Sequence, residues 1–396
     1  MSGSPRHLAP FAALSASYFA HIGFFNPYLP LWLKDLGYGL VAISLLTAVQ
    51  SATRLIAPYG WGWLSDHTGE RVKLLRYGAT VALAVSCGLW FDGGFWWVAA
   101  LLFVMFFHTS AMMPMSEAAM AHLVSSGGTF DAKRYGRVRL WGSLGFLLTV
   151  LAAGAWFEHF GMGHFPAWTV LSLVAVVLSV WNLPDLKESV PAHEPKPPIL
   201  PILKNLQVRW FFVALFFHVL SHMGIYIFFS LYLDALGYSK TMIGLLWAVS
   251  VLVEIVWFFT QSRWLPMLSL TAWLVLCAGV MVLRMALTAS SAAVWPLLLL
   301  AQCLHAFTFA AHHAVCIALL SHHFPGKLRG RGQALYAVLG YGLTGVLGGL
   351  FGGLLSARFG LASVFWVTLG TSLVATACAW QVWRLRHRLH DAATVV

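Results

Sequence analysis

Charge is what this chain lacks. Asp, Glu, Lys and Arg make up 9% of its 396 residues, against roughly 25% in a soluble globular domain. Acidic residues are the scarcest, 13 against 24 Lys and Arg. Hydrophobic residues fill 60% of the chain, and mean hydropathy is +0.78. A soluble globule is excluded; the solvent of this chain is lipid. Cysteine is sparse as well. Cys87, Cys277, Cys303, Cys316 and Cys378 all fall in apolar runs and form no CxxC pair, so neither a disulfide framework nor a structural metal is expected. No Ser/His/Asp constellation, HExxH or phosphate-binding loop occurs. An enzyme is therefore not expected, nor ATP-driven transport by this chain alone. Gly348, Gly349, Gly352 and Gly353 form a helix-packing pattern within an apolar run.

What the chain has is long apolar runs. A helix needs about 20 such residues to cross a bilayer. Twelve runs qualify, near 8–33, 40–62, 73–91, 95–122, 137–157, 166–183, 208–233, 240–260, 268–288, 293–320, 335–356 and 361–383. Their length argues for helices over the roughly ten-residue alternating strands of an outer-membrane barrel. The first run reads as a span, because it is long and no small-residue cleavage site precedes a polar domain. Net charge is +11, yet its distribution speaks against nucleic acid. Of the 24 Lys and Arg, 19 fall on one side of the membrane, three (Lys34, Lys240, Arg358) on the other, and Arg54 and Arg284 within spans. This positive-inside bias places both termini and the central loop in the cytoplasm, and the even span count agrees.

The chain also matches itself. Leu31, Leu33, Leu36, Gly37, Tyr38, Ile43, Leu45, Leu46, Ala48 and Val49 recur 200 residues later, ten identities in a 19-residue window. Later matches need gaps: His108 with His305, Arg137 with Arg331, and Phe160 and Gly161 with Phe359 and Gly360. Between the halves lies a stretch rich in proline, including Pro184, Pro191, Pro195, Pro197, Pro198 and Pro201, which favours an extended linker. The expected organisation is a six-helix bundle over 1–184, a cytoplasmic linker over 185–206, and a second six-helix bundle with a basic tail over 207–396. Two parallel-oriented six-helix halves describe the all-α major facilitator architecture.

Gly62 to Arg71 reads as a cytoplasmic turn resembling the major facilitator signature G-x-x-x-D-R-x-G-R-[RK], with His67 and Glu70 at the places of its first two arginines. In this reading Gly62 permits close helix approach, Asp66 faces a helix N-terminus, Gly69 makes the turn, and Arg71 completes a gating latch. The resemblance narrows further. Tyr18, Phe19, Gly23, Pro27 and the run Pro30 to Leu33 on the first span carry part of it, as do Tyr135 to Ser143 entering the fifth. The run Gly244 to Trp247 with Glu254 on the eighth and the run Leu304 to Phe309 with His313 on the tenth carry the rest. Together they look like the phenylpropionate permease family, relatives of the lactose permease type of proton symporter. The resemblance spans nearly the whole chain.

Charges inside a membrane default to functional hypotheses, and four lie within spans: Arg54, Glu117, Glu254 and Arg284. By the resemblance, Glu117 and Arg139 match an acidic residue and an arginine that bind sugar in lactose permease. A structural pair, or Glu117 with Arg71, is the plainer alternative. Phe146 stands where the sugar permease has a stacking tryptophan, which weakens a sugar reading. Glu254 matches an acidic residue at the sugar site. Trp247 and Trp257 fall roughly on its helix face, and a carboxyl in such surroundings is a candidate proton carrier. A permanent ion pair with Arg54 or Arg284 is the alternative. Arg284 and His305 resemble the Arg and His of the permease's coupling group, but Thr308 replaces the carboxylate three residues on, leaving Glu254 or His305 to carry the proton. His313 lies close to the face of His305 and His312 about 20° to its other side; metal binding is not expected. His21, His218 and His222 read as structural. Arg54, aligned with Glu254 across the halves, either holds that carboxylate or binds a substrate anion.

The expected function is proton-coupled uptake of a small organic solute such as an aromatic carboxylate, by alternating access. Alternatives are a sugar or nucleoside symporter, or a drug or metabolite efflux antiporter, although no proline marks 136–157 as efflux carriers would have it. No cofactor is expected beyond a proton gradient. The expected partners are solute, proton and lipid, without nucleic acid or ATP. The expected form is a monomer in the plasma membrane of a bacterium.

Overall fold

The computed structural model describes the backbone of residues 5–126, 129–130, 132–185, 198–325 and 328–393, and the side chains of 8–120, 137–185, 198–325 and 328–386. Twelve helices among the described residues are long and apolar enough to cross a membrane. They are α1 (Leu8–Asp35), α2 (Leu40–Thr68), α3 (Arg71–Trp90), α4 (Gly94–Met120), α5 (Arg137–Phe160), α6 (Met162–Trp181), α7 (Leu206–Ala235), α8 (Lys240–Met267), α9 (Leu270–Ser291), α10 (Trp295–His323), α11 (Arg329–Phe359) and α12 (Ala362–Arg386). Each coincides with one run expected from sequence. The remaining regular structure includes a two-residue antiparallel pairing of Ser125–Ser126 with Thr129–Phe130. The helices outrun the apolar stretches, because backbone hydrogen bonding continues through polar residues until a glycine or proline ends it.

One such extension changes a reading. Residues 62–68 are not a turn but the last two turns of α2, and Gly69 alone makes the corner, with φ 68° and its N–H bonded to the Ser65 carbonyl at 2.9 Å. Left-handed backbone of this kind is what glycine supplies at a helix C-terminus. Gly62 does not mediate a close approach: a methyl group there would meet nothing within 4 Å. Asp66 pairs with Arg71 of α3 at 3.0 Å and is 63% exposed, so the pair is worth at most about 1 kcal/mol.

The chain divides into two compact units, residues 1–193 with 238–248 and residues 194–237 with 249–396. Of the Pro-rich stretch, residues 186–197 lie outside the described residues. Beyond them Leu200–Lys204 forms a short helix rather than extended chain, since proline is tolerated in a first helical turn.

In unit 1, α1 packs along α5 and α6, and α3 along α6 and α4. In unit 2, α7 packs along α11 and α12, and α9 along α12 and α10. The second set is the first shifted by six helices, so the duplication read from sequence is a duplication of packing. Its corners agree in detail. Gly37 and Gly237 have φ 85° and 84°, and Gly161 and Gly360 have φ 81° and 82°.

Lipid is as apolar as a leucine side chain, so close contact rather than burial holds such helices together. The tightest seam in unit 1 joins α1 to α5. A methyl group on Gly23 would sit 2.7 Å from the Phe146 carbonyl, and one on Gly145 would overlap the Ala16 carbonyl. Around this seam Leu14, Tyr18, Ala57, Ala79, Met115 and Val176 form a buried core. The first nine residues of α8, 240–248, also belong to unit 1. There Lys240 donates its N–H to Glu158 Oε2 at 2.6 Å, and the Tyr28 hydroxyl reaches the carbonyls of Val150 (3.1 Å) and Lys240 (3.2 Å).

Candidate functional site

Three helices of unit 2 depart from α geometry near its polar interior. α7 carries a π-helical segment at Gly224–Phe228, α10 at Ala306–Ala311 and α11 at Tyr336–Gly342. A π segment inserts a residue and re-aims the side chains around it, often at functional positions. Between α7 and α10 stands Arg284 of α9, only 1% exposed.

Arg284 is held by neutral groups. Its Nη1 lies 3.0 Å from His222 Nε2, 3.0 Å from His305 Nδ1 and 2.9 Å from Thr308 Oγ1, and its Nη2 lies 3.2 Å from Gln302 Oε1. Gln302 Oε1 also accepts from Ser250 at 2.8 Å. His305 turns its other nitrogen to Glu254, with Nε2 3.6 Å from Oε2. Among the described residues no carboxylate contacts Arg284, and its Nε has no hydrogen-bond partner.

The proton inventory follows from these contacts. A guanidinium only donates, so His222 Nε2 and His305 Nδ1 must accept. Each ring then carries its proton on the other nitrogen, and His305 presents Nε2–H towards Glu254. Nη1 has two hydrogens for three acceptors. A second proton on His305 would have to sit on Nδ1, facing the guanidinium, so the Arg284–His305 bond and a charged His305 exclude each other. Phe309 stacks on His305 at 5.0 Å with planes 3° apart, which fixes the ring.

A second layer lies beyond. His218 Nε2 donates to the Thr308 carbonyl at 2.7 Å and stacks on His312 at 3.6 Å. Cys316 Sγ lies 3.6 Å from His312 Nε2, a thiol one turn away that the sequence reading passed over. His313 does not join Arg284; it bonds the Tyr336 hydroxyl at 2.8 Å. His218 and His222, read as structural from sequence, are part of this array. Their spacing with Tyr226, i, i+4, i+8, and that of Gln302, His305 and Thr308, i, i+3, i+6, are the signals that mark one helix face. Tyr226 stacks on His222 at 5.3 Å.

In unit 1, Arg139 lies over the Phe19 ring at 4.1 Å, and its Nε is 3.8 Å from Glu117 Oε1. Glu117 therefore faces Arg139, while Arg71 faces Asp66. The aromatic partner of Arg139 is Phe19; Phe146 stands two turns away along α5, half-buried, its backbone against Gly23. Arg54 lines a cavity of about 240 Å³ with Tyr18, Gln50 and Phe106. Trp247 is buried and falls in unit 1, whereas Trp257 belongs to unit 2 and packs edge-on to Trp273 at 5.5 Å.

Twelve helices long and apolar enough to cross a membrane, in two units of one packing pattern with Arg284 buried in the second, are the architecture of a polytopic membrane transporter. The chain matches the MFS_1 like family over residues 14–367 and belongs to that family. It is a secondary transporter of the major facilitator type, not an enzyme. Over 368 residues it is 26% identical to a probable 3-phenylpropionic acid transporter of Escherichia coli (strain K12), covering 91% of this chain and 93% of that protein. It is 25% identical to the maltose permease of Geobacillus stearothermophilus over 328 residues, covering 82% and 81%. Its fold is similar to that of the nucleoside transporter NupG, with TM-score 0.81 at 14% identity, covering 95% of this chain and 98% of that one.

Proposed function

We propose that this protein takes up a small organic anion of the aromatic carboxylate type, 3-phenylpropionate-like, in symport with a proton. The observation that carries the reading is the buried Arg284, bonded at 3.0 Å to His305, which itself faces Glu254 at 3.6 Å. A charge buried in the membrane interior without a partner costs about 3 kcal/mol or more. Among the described residues this cation has only neutral acceptors, so its bonds answer directly to a change of protonation around it. Protonating His305 breaks one of its bonds and frees a donor; protonating Glu254 removes the carboxylate that holds His305 Nε2–H. Either event ties the proton to the state of Arg284, which is the coupling a symporter needs. The cycle runs by alternating access, as a monomer, without a cofactor or ATP.

The similarity to a probable 3-phenylpropionic acid transporter supports the aromatic carboxylate. The charge bias supports a cytoplasmic location for both termini and a bacterial inner membrane. A sugar is the second reading, favoured by the Glu117–Arg139 pair beside Phe19 and by the similarity to a maltose permease. The test is uptake into proteoliposomes of 3-phenylpropionate, a nucleoside and maltose, with and without an imposed pH gradient. Accumulation of the carboxylate that rises with an inward proton gradient and collapses with a protonophore is expected. Accumulation indifferent to the protonophore defeats proton symport, and preference for maltose defeats the choice of substrate.

A further inference from the structure

The Arg54 cavity lies wholly within unit 1 and takes no part in the Arg284 array. It is about 240 Å³, below the roughly 300–1,000 Å³ of sites for drug-sized ligands, and so is matched to a single-ring solute rather than a disaccharide. Its walls are mostly apolar: Phe19, Ile22, Phe106 and Met113. Most polar wall groups are already engaged. The Tyr18 hydroxyl donates to the Thr109 carbonyl at 3.2 Å, Thr109 Oγ1 to the Met105 carbonyl at 3.0 Å, and Gln50 Nε2 to Asn26 at 3.1 Å.

Two wall groups are left over. Among the described residues Arg54 has neither an ion-pair nor a hydrogen-bond partner, and Ser110 Oγ is buried with no hydrogen-bond partner. An orphaned buried hydroxyl asks for an explanation, and a half-buried guanidinium inside a span asks for an anion. One ligand satisfies both. A carboxylate takes two N–H bonds from a guanidinium and one O–H from a serine, while a flat ring fills the space between Phe19, Phe106 and Met113.

The geometry points to this cavity as the seat of an aryl monocarboxylate, with Arg54 and Ser110 holding the carboxylate and Phe106 and Met113 the ring. The inference rests on the aromatic carboxylate reading above and adds a seat for the solute's carboxylate between Arg54 and Ser110. The test is calorimetric binding of 3-phenylpropionate and its neutral amide to the purified full chain in detergent. Arg54→Gln is expected to weaken the carboxylate at least tenfold and leave the amide unchanged, with Ser110→Ala giving a smaller loss of the carboxylate alone. Met113→Trp, which fills the ring space without touching charge, is expected to weaken both ligands. Unliganded melting temperatures confirm that the variants fold. Wild-type binding that persists unchanged in Arg54→Gln and Met113→Trp overturns the seat and leaves the uptake reading standing. A wild type that binds no aryl carboxylate overturns both.

Discussion

At the scale of the residue, the informative quantity is how many hydrogens face how many acceptors. Arg284 Nη1 meets three acceptors between 2.9 and 3.0 Å, and a lysine offers a point charge rather than a planar fork. Arg284→Lys is therefore expected to lower carboxylate uptake more than tenfold, measured as initial rate in proteoliposomes. His305→Gln separates proton from solute. A glutamine amide can accept from Arg284 and donate towards Glu254, yet cannot take a proton in the physiological range. Gradient-driven accumulation should be lost while exchange of solute across the membrane at equal pH persists. Loss of both activities together would show that His305 is needed for its shape. Sequence made Arg284, His305 and Glu254 legible, because an ionisable group in an apolar run stands out alone. It did not reveal Gln302, Ser250 or His222, whose roles depend on which helices meet, and it misjudged Gly62, whose open surroundings no local pattern encodes.

At the scale of the element, helices α1 and α5 share a seam where backbone meets backbone. Gly145 leaves no space for a side chain beside the Ala16 carbonyl, and overpacking of this kind costs about 1–3 kcal/mol. Gly145→Val is expected to lower the thermal unfolding temperature in detergent, whereas Gly62→Val, where nothing lies within 4 Å, is expected to leave it unchanged. The corners offer a paired comparison. Gly37 and Gly237 hold φ 85° and 84°, so Gly37→Ala and Gly237→Ala should each cost about 1–2 kcal/mol, and by similar amounts, if the two halves bear equal shares of stability. Helix existence was legible everywhere, since twenty apolar residues in lipid leave the backbone few choices. Helix ends were not, because polar residues such as Ser65 and Asp66 continue a helix as readily as they end it. The π segments left no mark in the pattern of hydrophobicity.

At the scale of the whole molecule, the bias of Lys and Arg predicts orientation. With both termini proposed to be cytoplasmic, a cysteine placed at Lys34 or Lys240 in a cysteine-free background should react with an impermeant thiol reagent in intact cells, and one placed at Lys73 should react only after lysis. The reverse pattern would refute the orientation. Architecture was legible because the duplication is written in shared residues, and the helix pairings of the two units repeat it. The π segment in α10 carries a different message. It spans Ala306–Ala311, between His305 and the His312 and His313 pair. Removing one residue from it would turn everything downstream by about 100°, taking His312 off His218 and His313 off Tyr336 while deleting none of them. The length of this segment is thus constrained in addition to the side chains it carries. A one-residue deletion there is expected to be as harmful to transport as the loss of a charge.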